Sequence, residues 1–423
     1  MPGRAPFPNL QIFKKICIAN LRTRVRIKMI QNQIQKAHRD LWKWCRRQDF
    51  AGYDPFDGLN SHLFQSLPFK SSRPARLAWT QLFKRLPVNL RTPARVPRQR
   101  NAKGIALFTL SALADYRRSA TKESEVEARE LVDDLMAKGL KGFSGAAWGY
   151  NFDWQGRAFF APRNTPAIVP TAFASRALIE ASLVLDSEEH LRFARTVCDF
   201  ILNDLNRSEE TKDEVCFSYS PLDHTRVFNA SLLAAEVLAS VGKLTKEGSL
   251  CDTAMRAARY VIRHQRQDGS WPYGIDDYQS WSDNFHTAFI LTSLSRIIEA
   301  CDSARDEFEP ALVRGCESWK ERFFLSNGWP KYYPDHLYPA DTHSAAAAIV
   351  ALVELRGRIP GAMDLAERIT NWTMENLRDR SGFFYYQRRR FHTVRIPYMR
   401  WSQAWMAYAL ARLLEANGER VNG

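Results

Sequence analysis

At 423 residues, 45% of them hydrophobic and 25% charged, the chain is long enough for a large packed core, and its composition excludes disorder over most of its length. The net charge of +14 is uneven: residues 1–103 hold 22 Lys and Arg against 4 Asp and Glu, and the rest of the chain 38 against 42. Seven scattered cysteines never fall into CxxC pairs, and the sequence has no Cys/His finger, RNA-binding consensus or recognition helix, which argues against a disulfide framework, a zinc knuckle and a nucleic-acid partner.

Residues 10–47 interleave Ile, Leu and Val with cations at helical spacing. Such a helix either rests on an anionic surface or shows water a basic face. Residues 1–31 are read as a basic amphipathic segment and residues 32–423 as one domain. Lys14 and Lys15 break the only early apolar run, and no stretch reaches the roughly 18 apolar residues of a membrane span. The expected location is the cytoplasm, with peripheral contact between the basic N-terminus and an anionic inner-membrane face left open. Next come the loop YDPFDGLN (residues 53–60), an Arg/Pro-rich insertion over about 68–100, and the apolar helix AKGIALFTLSALADY.

From there one grammar repeats: an amphipathic helix, an aromatic and polar loop, an apolar helix. The apolar helices begin near Thr171, Asn229, His286, His343 and Ser402, at separations of 58, 57, 57 and 59 residues. An apolar helix is buried all round, whereas an amphipathic one keeps a face in water. With the first unit this makes six αα-hairpins and predicts an all-α (α/α)6 toroid, apolar helices inside and their leading loops gathered at one end. An open α-solenoid is the alternative. Helix N-termini offer unpaired N–H groups, so polar residues in those loops suit hydroxyl-rich or anionic ligands.

Residues 53–60 and 150–163 (YNFDWQGRAFFAPR) exceed what a connection needs and are assigned to substrate contact. Paired carboxylates cleave glycosidic bonds, and His or Tyr can take the proton beside a uronate carboxylate. The expected acid/base pool is therefore Asp54, Asp57, Asp153, Asp277 and Asp283, with His286 as a proton shuttle. Trp154, Trp271 and Trp281 can stack on sugar faces, and Arg157, Arg395 and Arg400 can meet an anionic group. Tyr150, Gln155, His224, Tyr273, Asn284, His343 and Trp401 complete the expected contacts. Structural roles stand beside these: a tyrosine recurs in every loop (Tyr53, Tyr150, Tyr219, Tyr273, Tyr332, Tyr385), Asp223, Asp283 and Asp341 occupy N-cap positions, and His286 and His343 fall in first turns. No metal-ligand pattern or Gly-rich phosphate loop occurs, so neither metal nor cofactor is expected.

Residues 256–271 (RAARYVIRHQRQDGSW) resemble the QW motif of squalene and terpene cyclases at Ala257, Tyr260, Val261, Gln265, Gly269 and Trp271. The segment SDNFHTAFILTSLS is similar to the zinc-histidine segment of protein prenyltransferase β subunits, with His286 at the matching position. Both families are helical toroids. The DxDD acid of the cyclases and the Asp and Cys zinc ligands have no counterparts, so these matches imply the fold, and an isoprenoid enzyme remains an alternative. Over most of the chain, YDPFDGLNS, WGYNFDWQGR, FFAPRNTP, CFSYSPLD, QDGSWPYG and DNFHTAF resemble bacterial helical-toroid proteins of capsular and exopolysaccharide biosynthesis clusters. That resemblance implies a hydrolase, lyase or epimerase acting on a saccharide or lipid-linked saccharide, or a non-catalytic glycan-binding or scaffolding subunit.

Overall fold

The computed structural model describes residues 10–422, with side chains from 29 to 419. The inner ring consists of α4 (Ala102–Ser119), α6 (Ile168–Val184), α8 (Phe228–Thr245), α10 (Asn284–Ala300), α12 (Thr342–Glu354) and α14 (Trp405–Asn422). Around it lie α1 (Leu10–Arg47), α5 (Lys122–Ala137), α7 (Glu188–Asn203), α9 (Gly248–Arg263), α11 (Ala304–Phe323) and α13 (Ala362–Leu377). The insertion adds α2 (His62–Gln65) and α3 (Arg73–Arg85). Each inner helix packs on the next, and α14 packs back on α4, so the ring is closed and the open solenoid is excluded.

The sequence explains this layering. Helix α12, THSAAAAIVALVE, is buried on every side, its alanines letting neighbours approach closely, whereas α9 buries only Leu250, Ala254, Met255, Ala257, Ala258, Tyr260 and Val261 along one face. Short turns lead from each inner helix to the following outer one, and long loops lead back, so every long loop lies at the N-terminal end of the inner ring. Short antiparallel strands stiffen that end: β1 (Trp154–Gln155) with β2 (Phe160–Ala161), β3 (Arg207–Glu210) with β4 (Val215–Phe217), and β5 (Ala340–Asp341), β6 (Gln387–Arg388) and β7 (Thr393–Val394) in one sheet.

A repeated backbone stitch joins the loops. The first N–H groups of the inner helices donate to the carbonyl of the recurring tyrosine in the next loop: Ile168 to Tyr219, Phe228 to Tyr273, Asn284 to Tyr332 and Thr342 to Tyr386. Met399, opening the π-helical turn Met399–Ala404 before α14, donates to Tyr53, so five of the six loops are stitched; at the sixth, Tyr150 accepts from Asn164 of its own loop. The recurring position in the last loop is thus Tyr386, one residue beyond the expected Tyr385. Each stitch satisfies a helix-terminal donor that would otherwise be orphaned.

The side chains of residues 10–28, on which the expected amphipathic character of the N-terminal segment rests, lie outside the described residues, as do residues 1–9. From residue 29 onward α1 packs against α14. Among the described residues no helix is long and apolar enough to cross a membrane.

Candidate functional site

The loops and inner-helix N-termini enclose a cavity of about 670 Å³. It is closed beneath by three mutually packed rings from alternate inner helices, Phe173, Phe289 and Trp405, with centroids 5.3–5.5 Å apart. The other three inner helices contribute Lys103, Asn229 and His343 to the cavity lining. These polar groups lack hydrogen-bond partners: no acceptor meets Lys103 Nζ among the described residues, and Asn229 Oδ1 and both His343 ring nitrogens are buried and unpaired. Lys103 Nζ instead sits over the three rings, 4.3 Å from the Phe173 centroid, 5.2 Å from Phe289 and 5.4 Å from Trp405. Burial, helped by the nearby Arg400 and Arg176 guanidiniums, pushes the Lys103 ammonium well below its ordinary pKa. Burial, then Lys103 and Arg400, does the same to His343, which is held neutral.

His286 is built differently. Asp283 caps α10 by accepting the His286 backbone N–H through Oδ1 at 2.9 Å, and its Oδ2 accepts the His286 ring Nδ1–H at 2.9 Å. That bond selects the tautomer and leaves Nε2 as the ring nitrogen free for the cavity. The ring is held between Phe285 and Tyr273, with centroids at 3.9 and 4.7 Å, and the Tyr273 ring stacks on Trp281 at 4.5 Å. Asp283 is thus the helix cap that the sequence offered beside an acid/base role, and its second oxygen holds the histidine ring.

Nine of the expected site residues line the cavity: Tyr150, Trp154, Arg157, Tyr273, Trp281, His286, His343, Arg400 and Trp401. Asp54, Asp57, Asp153, Asp277, Asp283, Gln155, His224, Trp271, Asn284 and Arg395 lie outside its lining. Asp54 forms a two-pronged buried pair with Arg400 at 2.6 and 2.8 Å, and Asp57 pairs with the buried Arg91 at 2.6 Å. Burial pushes Asp57 up to about 6, against the pull of Arg91. Asp153 accepts the Arg163 N–H, Asp277 opens an exposed turn, and the Gln155 side chain bonds Arg76 and the Gly156 carbonyl. Trp271 donates to the Val261 carbonyl at the end of α9, and Asn284 joins Trp319 to Lys331. His224 and Arg395 are exposed on loops.

No Asp or Glu is among the residues lining the cavity, whereas Lys84, Arg85, Lys103, Arg157 and Arg400 are. Lys84, Arg85 and Lys103 were not anticipated. The signal for Lys103 was a lone cation in the first turn of an otherwise apolar inner helix; Lys84 and Arg85 enter because α3 folds over the mouth. Tyr219 and Tyr332, read only as recurring turn residues, also turn their rings to the cavity.

No family model and no curated protein sequence matches the chain. Its fold is similar to that of solved structures at low identity. A cellobiose 2-epimerase from Bacillus thermoamylovorans B4167 has a TM-score of 0.59 at 12% identity, covering 77% of this chain and 90% of that one. A GH76 α-mannanase from Bacteroides thetaiotaomicron gives 0.56 at 13%, with 76% and 87% covered. A glycosyl hydrolase family 88 protein from Bacteroides vulgatus gives 0.53 at 10%, with 75% and 91% covered. The chain thus has the (α/α)6 toroid fold shared by carbohydrate-active enzymes of several chemistries, and at these identities the likeness shows the fold alone.

Proposed function

We propose that the protein moves a proton on an acidic saccharide, as an epimerase or lyase does. The observation that carries this reading is a cavity with a His–Asp pair, an unpaired buried lysine and no carboxylate in its lining. Glycoside hydrolysis by two carboxylates needs both to flank the bond, and here the carboxylates serve as caps and arginine partners. His286 Nε2 is the base that takes the proton from the carbon beside the substrate's carboxylate, and Asp283 positions the ring and stabilises its cation. Lys103, with Arg400 beside it, meets the carboxylate as negative charge moves onto it. For an epimerase a water in the cavity protonates the opposite face and His286 passes the proton it took to the resulting hydroxide; for a lyase the glycosidic oxygen one carbon further on leaves with the bonding pair. Aromatic rings along the wall support stacking of the sugar, and the resemblance of the loops supports a setting in capsule or exopolysaccharide synthesis, with a free or lipid-linked glycan as substrate.

One observation favours a second reading, a glycan-binding subunit without chemistry: Asp283 and Asp341 both cap helix termini, as that reading requires. Deuterium exchange separates the two. Uronate-containing oligosaccharides incubated with the protein in D2O should incorporate deuterium at the carbon beside the carboxylate, and His286→Gln should slow this by about 10²-fold or more. Binding of such oligosaccharides with no exchange and no unsaturated product would leave the binding-subunit reading standing instead.

A further inference from the structure

Two segments at the loop end carry cations and no acid. Residues 61–100 hold nine Lys and Arg and residues 380–400 hold six Arg, with no Asp or Glu in either. The fold brings them together: Arg389, in the turn between β6 and β7, donates to the carbonyl of Arg85 at 2.5 Å and to that of Lys84 at 3.2 Å, at the end of α3. Of these cations only Arg91, Arg100 and Arg400 form ion pairs among the described residues.

The same face exposes apolar side chains. The outer stripe of α3 is Pro74, Ala78 and Leu82, at a spacing of four residues, and Val88 follows just past its end. Leu82 is 43% exposed, Val88 65% and Phe391, at the hairpin tip, 87%. Arg390 lies over the Phe391 ring at 5.2 Å, so an exposed ring and an unpaired cation share the tip. Arg85 at the end of α3 beside the hairpin is exposed, as are Arg73 at the start of that helix and Lys70 just before it. A nucleic acid would use the cations and could stack a base on Phe391, but it would leave the aliphatic Val88 and Leu82 in water. An anionic bilayer takes both, since head-group phosphates meet the cations while rings and aliphatic tips enter the interface.

We infer that this face, formed by α3 and the β6–β7 hairpin, docks the protein on an anionic lipid bilayer. Lys84 and Arg85 also line the cavity, so docking sets its mouth at the membrane surface. The inference is independent of the chemistry assigned to the cavity, and it concerns a different surface from the N-terminal segment.

The test is co-sedimentation of the full chain with vesicles of phosphatidylcholine alone and of phosphatidylcholine with phosphatidylglycerol at about three to one. The protein should bind the anionic vesicles and not the neutral ones. Combining Lys70→Gln, Arg73→Gln and Arg390→Gln should lower the partition coefficient on the order of 100-fold, from the usual attraction per cation near anionic lipid. The pair Phe391→Ala with Val88→Ser should lower it at unchanged charge. Equal binding to neutral vesicles overturns the inference. So does anionic binding that both variants retain, which would assign the contact to the N-terminal segment, and so does tight RNA binding that the charge variant loses while the apolar variant keeps it. All five side chains are exposed, and unchanged thermal unfolding of the variants confirms that any loss is one of docking.

Discussion

Asp54 and Arg400 are both nearly inaccessible to water, and each satisfies the other's charge across the junction of the first loop with the turn that opens α14. Removing one partner strands the other: Asp54→Asn leaves the Arg400 guanidinium unneutralised beside Lys103. The expected cost is about 3–5 kcal/mol, measured as the loss of unfolding free energy in urea. Arg400→Met should cost a similar amount, and the double variant less than the sum. This is where local reading of the sequence reached its limit. YDPFDGLN does mark a loop rich in carboxylates at the ligand end, but Asp57 is committed by Arg91 of the insertion that folds back on it, and Asp54 by Arg400, 346 residues away and brought near only by ring closure. Lys103 was hidden for the opposite reason: a lone cation at a helix start reads as solvated until the fold buries it over three rings.

Asp341 shows how caps and cavity share groups. It accepts the backbone N–H groups of His343 and Ser344 at the start of α12, the Gln387 amide of β6 and the Trp401 indole, so one carboxyl joins a helix, a sheet and the cavity wall. Burial raises it to about 6 even so. A carboxyl raised on folding contributes stability that is fully present below its unfolded value near 4 and is lost as pH rises through about 6. Asp341→Asn does not titrate, so its deficit against the parent should be largest near pH 4, about 1–3 kcal/mol, and shrink towards pH 7. Urea midpoints of both proteins across that range check this, because all other carboxylates titrate in both. At this scale the sequence was most informative. The repeat period located the inner helices near Thr171, Asn229, His286 and His343, and they begin at Ile168, Phe228, Asn284 and Thr342. Residues 256–271 are the second half of α9 and the turn that follows it: Gln265 donates to the Gly269 and Ala311 carbonyls, and Gly269, at φ +79°, leaves room for the Arg314 carbonyl. The tyrosine stitch was not legible, because it uses main-chain carbonyls, which any residue supplies.

The whole ring is tied together below the aromatic plug by alternating charge. Glu236 on α8 accepts from Arg176 on α6 and Arg296 on α10, and Arg296 continues to Glu354 on α12. On the other side Arg117 of α4 joins Glu180 on α6 to Glu415 on α14. These charges sit in the middle and later turns of the inner helices, and α6 supplies one of each sign, Arg176 and Glu180. The cavity lies on the loop side of the three packed rings, so a ligand entering from the loop end stops at Lys103 and those rings. Glu236 is the most exposed to test because it serves two arginines and Ser293 at once. Burial pushes its carboxyl up, but Arg176 and Arg296 outweigh this and hold it below its ordinary value. Its contribution is therefore present at neutral pH and lost as pH falls through that lowered value. Glu236→Gln should cost about 3–5 kcal/mol at pH 7, by leaving two buried guanidiniums without their shared anion, and the deficit should narrow in acid. If the ring folds as one unit, α8 cannot loosen alone: fluorescence and far-ultraviolet circular dichroism should report one shared urea transition, moved to lower denaturant. Separated transitions would mean that the charge ring joins helices that unfold independently, and that closure of α14 on α4 does not couple the two halves of the toroid.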